Sequence, residues 1–458
     1  MQAEATTSGM RAPSDNRRLL VITYHFDPNG AVAGFRWLGF TKYLARLGWK
    51  IAVLTGAPPN GNDAATSAQV EWCPRLWTLI DGYRLLRRLA VGRSPRGVAE
   101  AARPAPPSGM PGLLRQLHRE VAAIFGFPDD SRGWTLRAGL RARSLIRRFR
   151  PHVVVSSGPP HTAHLVARIA MVGNAVPWWI DARDPWAGPL PKAWQSYRWG
   201  TTTFRALAPR LERLAFRAAH GVITTAPQFA AALAACYPAL PVVCVPNGVD
   251  AECLPPPARE RYPGFSIAYV GTVYGGRDCG PVVAALRTFL ERHPDAAQAG
   301  SKLRIAGEAL SHSGTFYDAV AAAGMERYVD VLGRLPRTQA LSVVARSRLA
   351  VVLAQEQELQ IPTKLYESVA MGIPTLVVAP ANTAAGVEGS RLGALVRDPT
   401  DVEGIASAFE QLWQDESPRR APCPASITHD AIAPLLDRLL RGTHLPLAAA
   451  REGSTASS

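Results

Sequence analysis

A lysine and a glutamate three residues apart, Lys364 and Glu367, form the sharpest chemical pattern in the sequence and directly follow a Pro-Thr pair. Proline and threonine in this position predict the start of a helix, so both side chains lie on one face of its first turns. A lysine there can bind phosphate, while a carboxylate at that separation can accept two hydroxyl hydrogen bonds from a ribose. The alternative is an ordinary surface ion pair, worth only about 0.3 kcal/mol and common on helices.

A second anion-binding pattern is the glycine-rich turn at 271–278, which follows a predicted strand and precedes a predicted helix. Gly271 and Thr272 open this turn, and Arg277 stands near its end. Glycines let backbone amides approach a ligand, and a guanidinium can bind two phosphate oxygens. We interpret the turn as a phosphate cradle. The alternative is that Arg277 only pairs with its neighbour Asp278 at the surface.

A similar turn lies near the N-terminus, where Gly30 and Gly34 stand between a short apolar run and a helical pattern. Glycines before a helix N-terminus favour close approach of a phosphate to backbone amides. The spacing is not that of a dinucleotide-binding loop, and the following strand ends in Thr55-Gly56 without the acid that a nicotinamide ribose would need. An ordinary tight turn is the alternative here.

Polar side chains also follow two neighbouring predicted strands. His161 and His164 come after the first of these strands, and Asp181, Arg183 and Asp184 come at the end of the second. Because the carboxyl ends of parallel strands meet at one edge of a sheet, we expect these groups to converge on one wall. A lone histidine is more often structural, but the combination predicts an acceptor-binding or catalytic wall.

The elements that must position these residues alternate between strands and helices, as in parallel α/β sheets. Strand, helix and strand patterns at 19–23, 33–47 and 51–55 form one such unit, and the pattern recurs after Pro255. The predicted fold class is therefore α/β, with two Rossmann-like, doubly wound parallel-sheet domains. We expect a disordered N-terminus at 1–17, a first domain at 18–252 with an irregular insert at 57–132, a second domain at 262–415, and a C-terminal helix with a disordered tail at 416–458.

Composition narrows the possible partners. The chain has 458 residues, a formal net charge of +15 and six cysteines without a C-x-x-C pair, so we expect no metal site. Neither a signal peptide nor a membrane span is predicted, which favours the cytoplasm. Many arginines lie on one amphipathic helix, 135–150, which is either a solvated surface or a peripheral contact with an anionic membrane. Since aromatic residues do not interleave with these arginines, we expect no nucleic-acid partner.

Seven segments of the sequence together resemble the GT-B glycosyltransferases of family 4, in the group with a glycosyltransferase 4-like N-terminal domain that acts in bacterial cell-surface saccharide synthesis. The order and spacing of these segments extend over most of residues 18–415. The matching segments are 24–36, 156–164, 181–186, 246–250, 269–278, 303–308 and 364–374.

The resemblance implies a retaining glycosyltransferase of the hexosyltransferase type that needs no metal or other cofactor. The donor would be a nucleotide-diphosphate sugar bound by the second domain, and the acceptor a saccharide or lipid-linked saccharide presented by the first. The pathway would be cell-envelope or exopolysaccharide synthesis. By position, Arg277 and Lys364 would hold the diphosphate and Glu367 the ribose. The close backbone approaches to the donor would come from Gly30, Gly34, Gly271 and Thr272, and the reacting sugar and acceptor would face Asp181, Arg183, Asp184 and His161.

The sequence departs from the family pattern in two places. The family often has a first glutamate eight residues before the second, where this chain has Leu359. Arg183 stands where many members carry a catalytic histidine. Two alternatives stay open: a nucleotide-sugar 2-epimerase-like enzyme of the same fold and, suggested by the net charge, a basic nucleic-acid-binding protein.

Overall fold

The fold is given by a computed structural model, which describes residues 17–27, 34–58, 67–79, 81–82, 85, 112–188, 201–273, 277–307, 314–415 and 423–442. The predicted disorder at 1–17 and in the C-terminal tail therefore lies almost entirely outside the described residues. Gly30 and the Pro/Ala/Gly stretch at 103–111 of the insert also lie outside them.

The first domain is built on a seven-stranded sheet in the order β3-β2-β1-β4-β5-β6-β7. Every neighbouring pair in it is parallel. The five central strands, β1, β2, β4, β5 and β6, are short runs buried on both faces, as expected for a parallel sheet covered by helices. Their bounds are β1 Arg18–Thr23, β2 Lys50–Thr55, β3 Gln69–Trp72, β4 Val153–Gly158, β5 Trp178–Ala182, β6 Gly221–Thr224 and β7 Val242–Cys244.

Helices pack on the faces of this sheet through their apolar sides. Asp129 fixes the start of one of them, since its carboxylate accepts hydrogen bonds from the Thr162 backbone N–H and hydroxyl at 2.8 and 2.7 Å. Such side-chain acceptors satisfy amides that a helix start leaves unpaired. The helices are α1 Phe35–Arg46, α2 Gly112–Gly126, α3 Thr135–Phe149, α4 Thr162–Ala170, α5 Thr202–Phe216 and α6 Pro227–Cys236.

The second domain repeats the design with a six-stranded sheet in the order β10-β9-β8-β11-β12-β13, again parallel throughout. The strands are β8 Ser266–Val270, β9 Lys302–Ala306, β10 Val329–Val331, β11 Leu349–Leu353, β12 Thr375–Val378 and β13 Leu395–Arg397. The helices are α7 Gly280–Arg292, α8 Pro294–Gln298, α9 Gly314–Ala322, α10 Arg337–Arg346, α11 Thr363–Ala370, α12 Ala384–Arg391 and α13 Val402–Gln414.

The chain returns to the first domain at its C-terminal end. Helix α14, His429–Leu440, packs against α1. A parallel bridge joins Val249 to Thr428, and the Trp49 indole donates to Asp437 at 2.6 Å. The last helix is thus part of the first domain's packing and links the two ends of the chain.

The insert differs from the sequence-based expectation. The insert predicted to be irregular at 57–132 contains strand β3 and the 15-residue helix α2. The sequence of α2 has an amphipathic pattern. Most of the apolar side of the helix is exposed, so this pattern does not reflect packing against the core. Within the described residues, no helix is both long and apolar enough to cross a bilayer.

Candidate active site

Asp181, at the carboxyl end of β5, is fully buried and surrounded by donors. Arg36 Nε lies 3.2 and 3.3 Å from its two carboxylate oxygens, the Trp37 indole donates at 2.8 Å, and the Ser157 hydroxyl donates at 2.7 Å. Burial alone would raise the pKa of Asp181. Arg36, Arg183 and the hydrogen bonds from Ser157 and Trp37 instead hold it below its ordinary value.

Arg36 extends this network to the end of the first domain. Its guanidinium donates to the carbonyls of Val245 and Pro246, both at 2.8 Å, and to the Asn247 side chain at 3.1 Å. The Arg36–Asp181 pair therefore ties α1 and β5 to the segment that leaves the sheet. The sequence-based interpretation had Asp181 facing the substrates. The structure instead encloses its carboxylate in the fold, where no lone pair is directed to a ligand.

The two histidines of the predicted wall lie beside each other under the loop after β4. His164 is buried, and its Nδ1 lies 2.9 Å from the Ser156 hydroxyl, which in turn accepts a hydrogen bond from Trp178. Burial lowers the pKa of His164 to about 3, so the ring is neutral. His161 is also buried and stacks on Trp186, with ring centroids 5.0 Å apart and an interplanar angle of 4°.

Asp184 differs from Asp181 in reaching the second domain, whereas Arg183 contacts the loop after β4 in its own domain. The Arg183 guanidinium donates to the carbonyls of Gly158 and Pro159. Asp184 accepts a hydrogen bond from Gln360 of the second domain. Burial raises the pKa of Asp184, and Arg183, Gln360 and Arg277 each act in the opposite direction. Asp184 therefore lies where groups of both domains meet.

The loop between β11 and α11 carries three glutamines that contact groups of the site. Gln360, already described, is one of them. Gln355 donates to the Asp278 carbonyl at 2.6 Å, and Gln357 lies beside the Arg277 guanidinium, its carboxamide oxygen 3.0 Å from Nε when turned toward it. Leu359, which replaces the family's first acid, packs against the apolar core instead. These glutamines could not be identified as site residues from the sequence, because amides in a loop carry little signal on their own.

Lys364 begins the next helix and reaches back to the glycine-rich turn. Gly271 has a φ of 145°, and a Cβ at this position would lie only 2.1 Å from Lys364 Nζ. The ammonium also lies 5.7 Å from the centroid of the Tyr269 ring. Among the described residues, Lys364 makes no salt bridge or hydrogen bond. Burial and the nearby Arg277 lower its pKa to about 7, an effect that Glu367 partly offsets.

Backbone groups crowd around this ammonium. A Cβ on Gly307, after β9, would lie 1.9 Å from the Gly271 carbonyl oxygen, so the two loops touch at their main chains. The Thr272 carbonyl accepts from the Tyr269 hydroxyl at 3.1 Å, which fixes the turn. Across the domains, Gly34 precedes α1, and a Cβ there would meet the Asp27 amide and His25 carbonyl at 3.3 Å. The glycines thus permit close packing of the loops that surround the site.

Glu367 is already engaged by a residue that the sequence did not reveal. Arg337 Nη2 donates to its carboxylate at 2.5 Å. The Arg337 guanidinium also lies over the Phe35 ring of the first domain, 4.4 Å from its centroid. Arg337 therefore bridges the two domains next to Lys364. The 30-residue separation between Arg337 and Glu367 explains why no local pattern indicated the pair.

The described residues contain no group of three or more histidine, cysteine, aspartate or glutamate side chains arranged to hold a metal. The structure thus brings Arg277, Lys364 and Glu367 together at the carboxyl edge of the second sheet. Asp184 comes from the first domain to the same place. Asp181, by contrast, belongs to the interior of the first domain.

Two parallel α/β sheets that face each other through such loops define the GT-B class of glycosyltransferases. Residues 33–252 match the family model described as Glycosyltransferase Family 4, and residues 267–415 match the one described as Glycosyl transferases group 1. The chain belongs to the family 4-like GT-B glycosyltransferases and is a transferase enzyme. By sequence, no curated protein matches it.

Solved structures agree on the fold. Sucrose-phosphate synthase from Thermosynechococcus elongatus superimposes with a TM-score of 0.58 at 14% identity, covering 93% of this chain and 99% of its own. HepE of Anabaena, in complex with UDP and glucose, gives the same values. The trehalose 6-phosphate synthase of Burkholderia multivorans has a TM-score of 0.57 at 14% identity, covering 93% and 97%. At such identities, these similarities establish the fold.

Proposed function

We propose that this glycosyltransferase moves a sugar, with retention of configuration, from a nucleoside-diphosphate sugar to a saccharide or lipid-linked saccharide acceptor. The pathway would be cell-envelope or exopolysaccharide synthesis. No metal or other cofactor takes part in the proposed reaction. HepE, which shares the fold, has a solved structure with UDP and glucose, and this supports a nucleotide-sugar donor.

The observation that carries the proposal is the ammonium of Lys364, whose half-buried side chain reaches the turn at Gly271. Its pKa is lowered to about 7 because burial and Arg277 both disfavour its charge, and no described carboxylate lies within salt-bridge distance. An ammonium in this situation is costly for a fold. A bound pyrophosphate would remove this cost, since each cation would gain phosphate oxygens.

The same arrangement would assist the chemistry. When the sugar leaves its diphosphate, negative charge develops on the phosphate oxygens. Fixed cations and backbone amides directed at those oxygens can each lower the barrier by about 3 kcal/mol. In this proposal Lys364 and Arg277 stabilise the leaving group, and the main-chain amides around Gly271 and Thr272 complete its environment.

Glu367 would bind the ribose hydroxyls in place of Arg337. A carboxylate can accept both hydroxyl hydrogen bonds, but Arg337 now occupies one of its oxygens at 2.5 Å. Donor binding would therefore displace Arg337, which also contacts Phe35 of the first domain. This exchange couples occupation of the ribose site to the contact between the two domains.

The acceptor side would be formed by the first domain's loops. Asp184 contacts Gln360 of the second domain, and together with Arg183 it would orient the reacting sugar and the acceptor hydroxyl. His161, stacked on Trp186, would form the floor of the acceptor site. Asp181 would act only by positioning, because Arg36, Trp37 and Ser157 occupy its carboxylate.

Nucleotide binding and transfer by Lys364 variants test the proposal. Purified protein is titrated with UDP, TDP, GDP and ADP, and transfer is assayed with the nucleotide sugars of the tightest binder. We expect Lys364→Met to reduce transfer about 100- to 1000-fold, with Lys364→Arg retaining more activity. Lys302→Met is the matched control, since Lys302 pairs with Asp330 at 3.0 Å away from the site.

Two results would contradict the proposal. Full transfer by Lys364→Met would remove the lysine from the donor site. Conversion of the donor into its epimer, without any acceptor present, would instead identify an epimerase of the same fold. Thermal unfolding of each variant shows whether lost activity reflects a lost site or a lost fold.

A further inference from the structure

The outer surface of the first domain carries a concentration of exposed apolar side chains that the transferase chemistry does not use. Most of the exposed large hydrophobic side chains among the described residues lie between positions 72 and 140. Globular proteins expose single apolar residues everywhere, but a contiguous group is typical of a contact surface. This group therefore requires a partner.

Helix α2 supplies the largest part of this group. One side of the helix faces the protein. Ala123 on that side is buried, and Glu120 accepts hydrogen bonds from the Thr202 and Thr203 amides at 2.6 and 3.2 Å. The other side is an exposed stripe at helical spacing. Its members are Leu113, Leu114, Leu117, Val121, Ile124 and Phe125, from 37% to 81% exposed.

Two neighbouring segments extend the stripe. Trp77 and Leu79 are both 72% exposed, and their segment is joined to the start of α3 by the hydrogen bond from the Leu76 amide to the Gly133 carbonyl at 2.9 Å. Arg132 at the same place donates to the Ile124 carbonyl at 3.2 Å. Leu136 and Leu140 of α3 are also exposed. We call these exposed residues of α2, 77–79 and α3 the apolar face.

The segment that carries most of the apolar face is rich in positive charge. Residues 112–150 contain nine arginines against three acidic residues. Two of those acids are engaged internally, Glu120 by the start of α5 and Asp129 by Thr162. Arg137 and Arg147 are exposed and, within the described part of the chain, form no salt bridge. The surface thus combines unpartnered apolar side chains with unneutralised cations.

We propose that the apolar face docks on the surface of an anionic lipid bilayer. An amphipathic helix that lies in the plane of a membrane buries its apolar side among acyl chains while nearby cations contact acidic headgroups. The prediction from the sequence placed membrane contact on the basic helix 135–150 alone. Two arginines of that helix, Arg141 and Arg148, pair with Glu71, so their charge is partly neutralised. In the present proposal, α2 and the exposed leucines supply the apolar contact.

The position of this face suits a lipid-linked acceptor. Asp129, three residues beyond the end of α2, holds Thr162 at the start of α4, next to His161 of the proposed acceptor wall. A bilayer against the apolar face would therefore lie beside the loops that receive the acceptor. The docking itself does not depend on the proposed function, because it requires only the surface.

Vesicle sedimentation with the full-length protein tests the docking. Vesicles of phosphatidylcholine are compared with vesicles that also contain about 30% phosphatidylglycerol, a fraction that gives a negative surface. We expect binding to the anionic vesicles, reduced about tenfold or more in Leu117→Glu/Val121→Glu. Arg137→Glu/Arg147→Glu should weaken binding as well, and salt should weaken it further. Val387→Glu, at an exposed apolar residue of the second domain, is the matched control and should bind like the wild type.

Three outcomes would overturn the proposal. Leu117→Glu/Val121→Glu could bind as well as the wild type while remaining folded by circular dichroism. The wild type could fail to bind anionic vesicles at all. Finally, analytical ultracentrifugation could show a dimer that the double variant abolishes, without vesicle binding, in which case a second copy of the chain covers the face.

Discussion

The carboxyl edges of the two sheets use charge in opposite ways. In the first domain, the buried Asp181 carboxylate is matched by Arg36, Trp37 and Ser157 within the fold. In the second domain, the Lys364 ammonium lies near the Arg277 guanidinium, and no carboxylate of the described residues lies within salt-bridge distance of the ammonium. The first arrangement is complete without a ligand, whereas the second becomes complete only when an anion binds.

This difference separates residues that build the site from residues that act in it. Loss of one member of a buried ion pair strongly destabilises the fold, because the other charge is left buried and uncompensated. A buried, unmatched cation weakens the unliganded fold and strengthens binding of an anion. Charged residues near the carboxyl ends of strands can therefore have different roles, even when their sequence patterns are similar.

The largest expected effect is on stability, at Asp181. Asp181→Ala leaves the buried Arg36 without its anionic partner, and we expect a loss of about 3–5 kcal/mol in the free energy of unfolding. Chemical denaturation monitored by tryptophan fluorescence measures it. Asp184→Ala is the matched comparison, since the Asp184 carboxylate accepts a hydrogen bond from Gln360 of the second domain rather than a set of donors within its own domain. It should lower transfer activity and cost much less stability.

The comparison fails if these two variants behave the other way round. A stable Asp181→Ala protein that has lost transfer would make Asp181 a catalytic residue. The enclosed geometry of its carboxylate would then describe only one state of the enzyme.

The next effect concerns pH. The pKa of Lys364 is about 7 without ligand, and a bound diphosphate must raise it, so binding takes up a proton above pH 7. Affinity for the nucleoside diphosphate should therefore fall as pH rises from 7 to 9, by up to about tenfold per unit. Isothermal titration in buffers of different ionisation enthalpy measures the proton uptake. Lys364→Arg should remove the dependence, and an unchanged profile in that variant would assign it to another group.

The smallest effect is expected at Arg337. Arg337→Gln removes a competitor for the Glu367 carboxylate and also the contact with Phe35. Because the Arg337–Glu367 pair is partly exposed, we expect about 1 kcal/mol or less, seen as a few-fold tighter binding of the nucleoside diphosphate. Glu367→Gln should weaken binding instead. Weaker binding in Arg337→Gln would show that Arg337 holds the ligand rather than competing for the ribose site.

Much of the fold could be predicted from the sequence because parallel sheets are made from short apolar runs. The strand patterns at 19–23 and 51–55 begin one residue after the strands that the structure gives and end at the same residues. Helix α2 was missed because the Pro- and Gly-containing sequence before it suggests a loop and because its apolar stripe faces outward. Strand β3 is only four residues long, and none of them is fully buried, so it carries no clear apolar pattern.

The site could be predicted only as far as position along the chain determines it. Strand ends indicated where Asp181 and Asp184 lie, but not that Arg36, 145 residues away, would enclose one of them. The spacing of Lys364 and Glu367 indicated a shared helix face. It could not show that Gly271 brings a distant turn against the lysine, or that Arg337 occupies the glutamate. Such contacts depend on tertiary packing, which local sequence does not contain.

The central claim is that Lys364 and Arg277 together bind a pyrophosphate. A crystal structure with the nucleoside diphosphate that binds most tightly tests it most directly. We predict that Lys364 Nζ and the Arg277 guanidinium lie within about 3 Å of phosphate oxygens, with Arg337 displaced from Glu367 by the ribose. A diphosphate bound elsewhere, with the Lys364 ammonium still unmatched, would contradict the account.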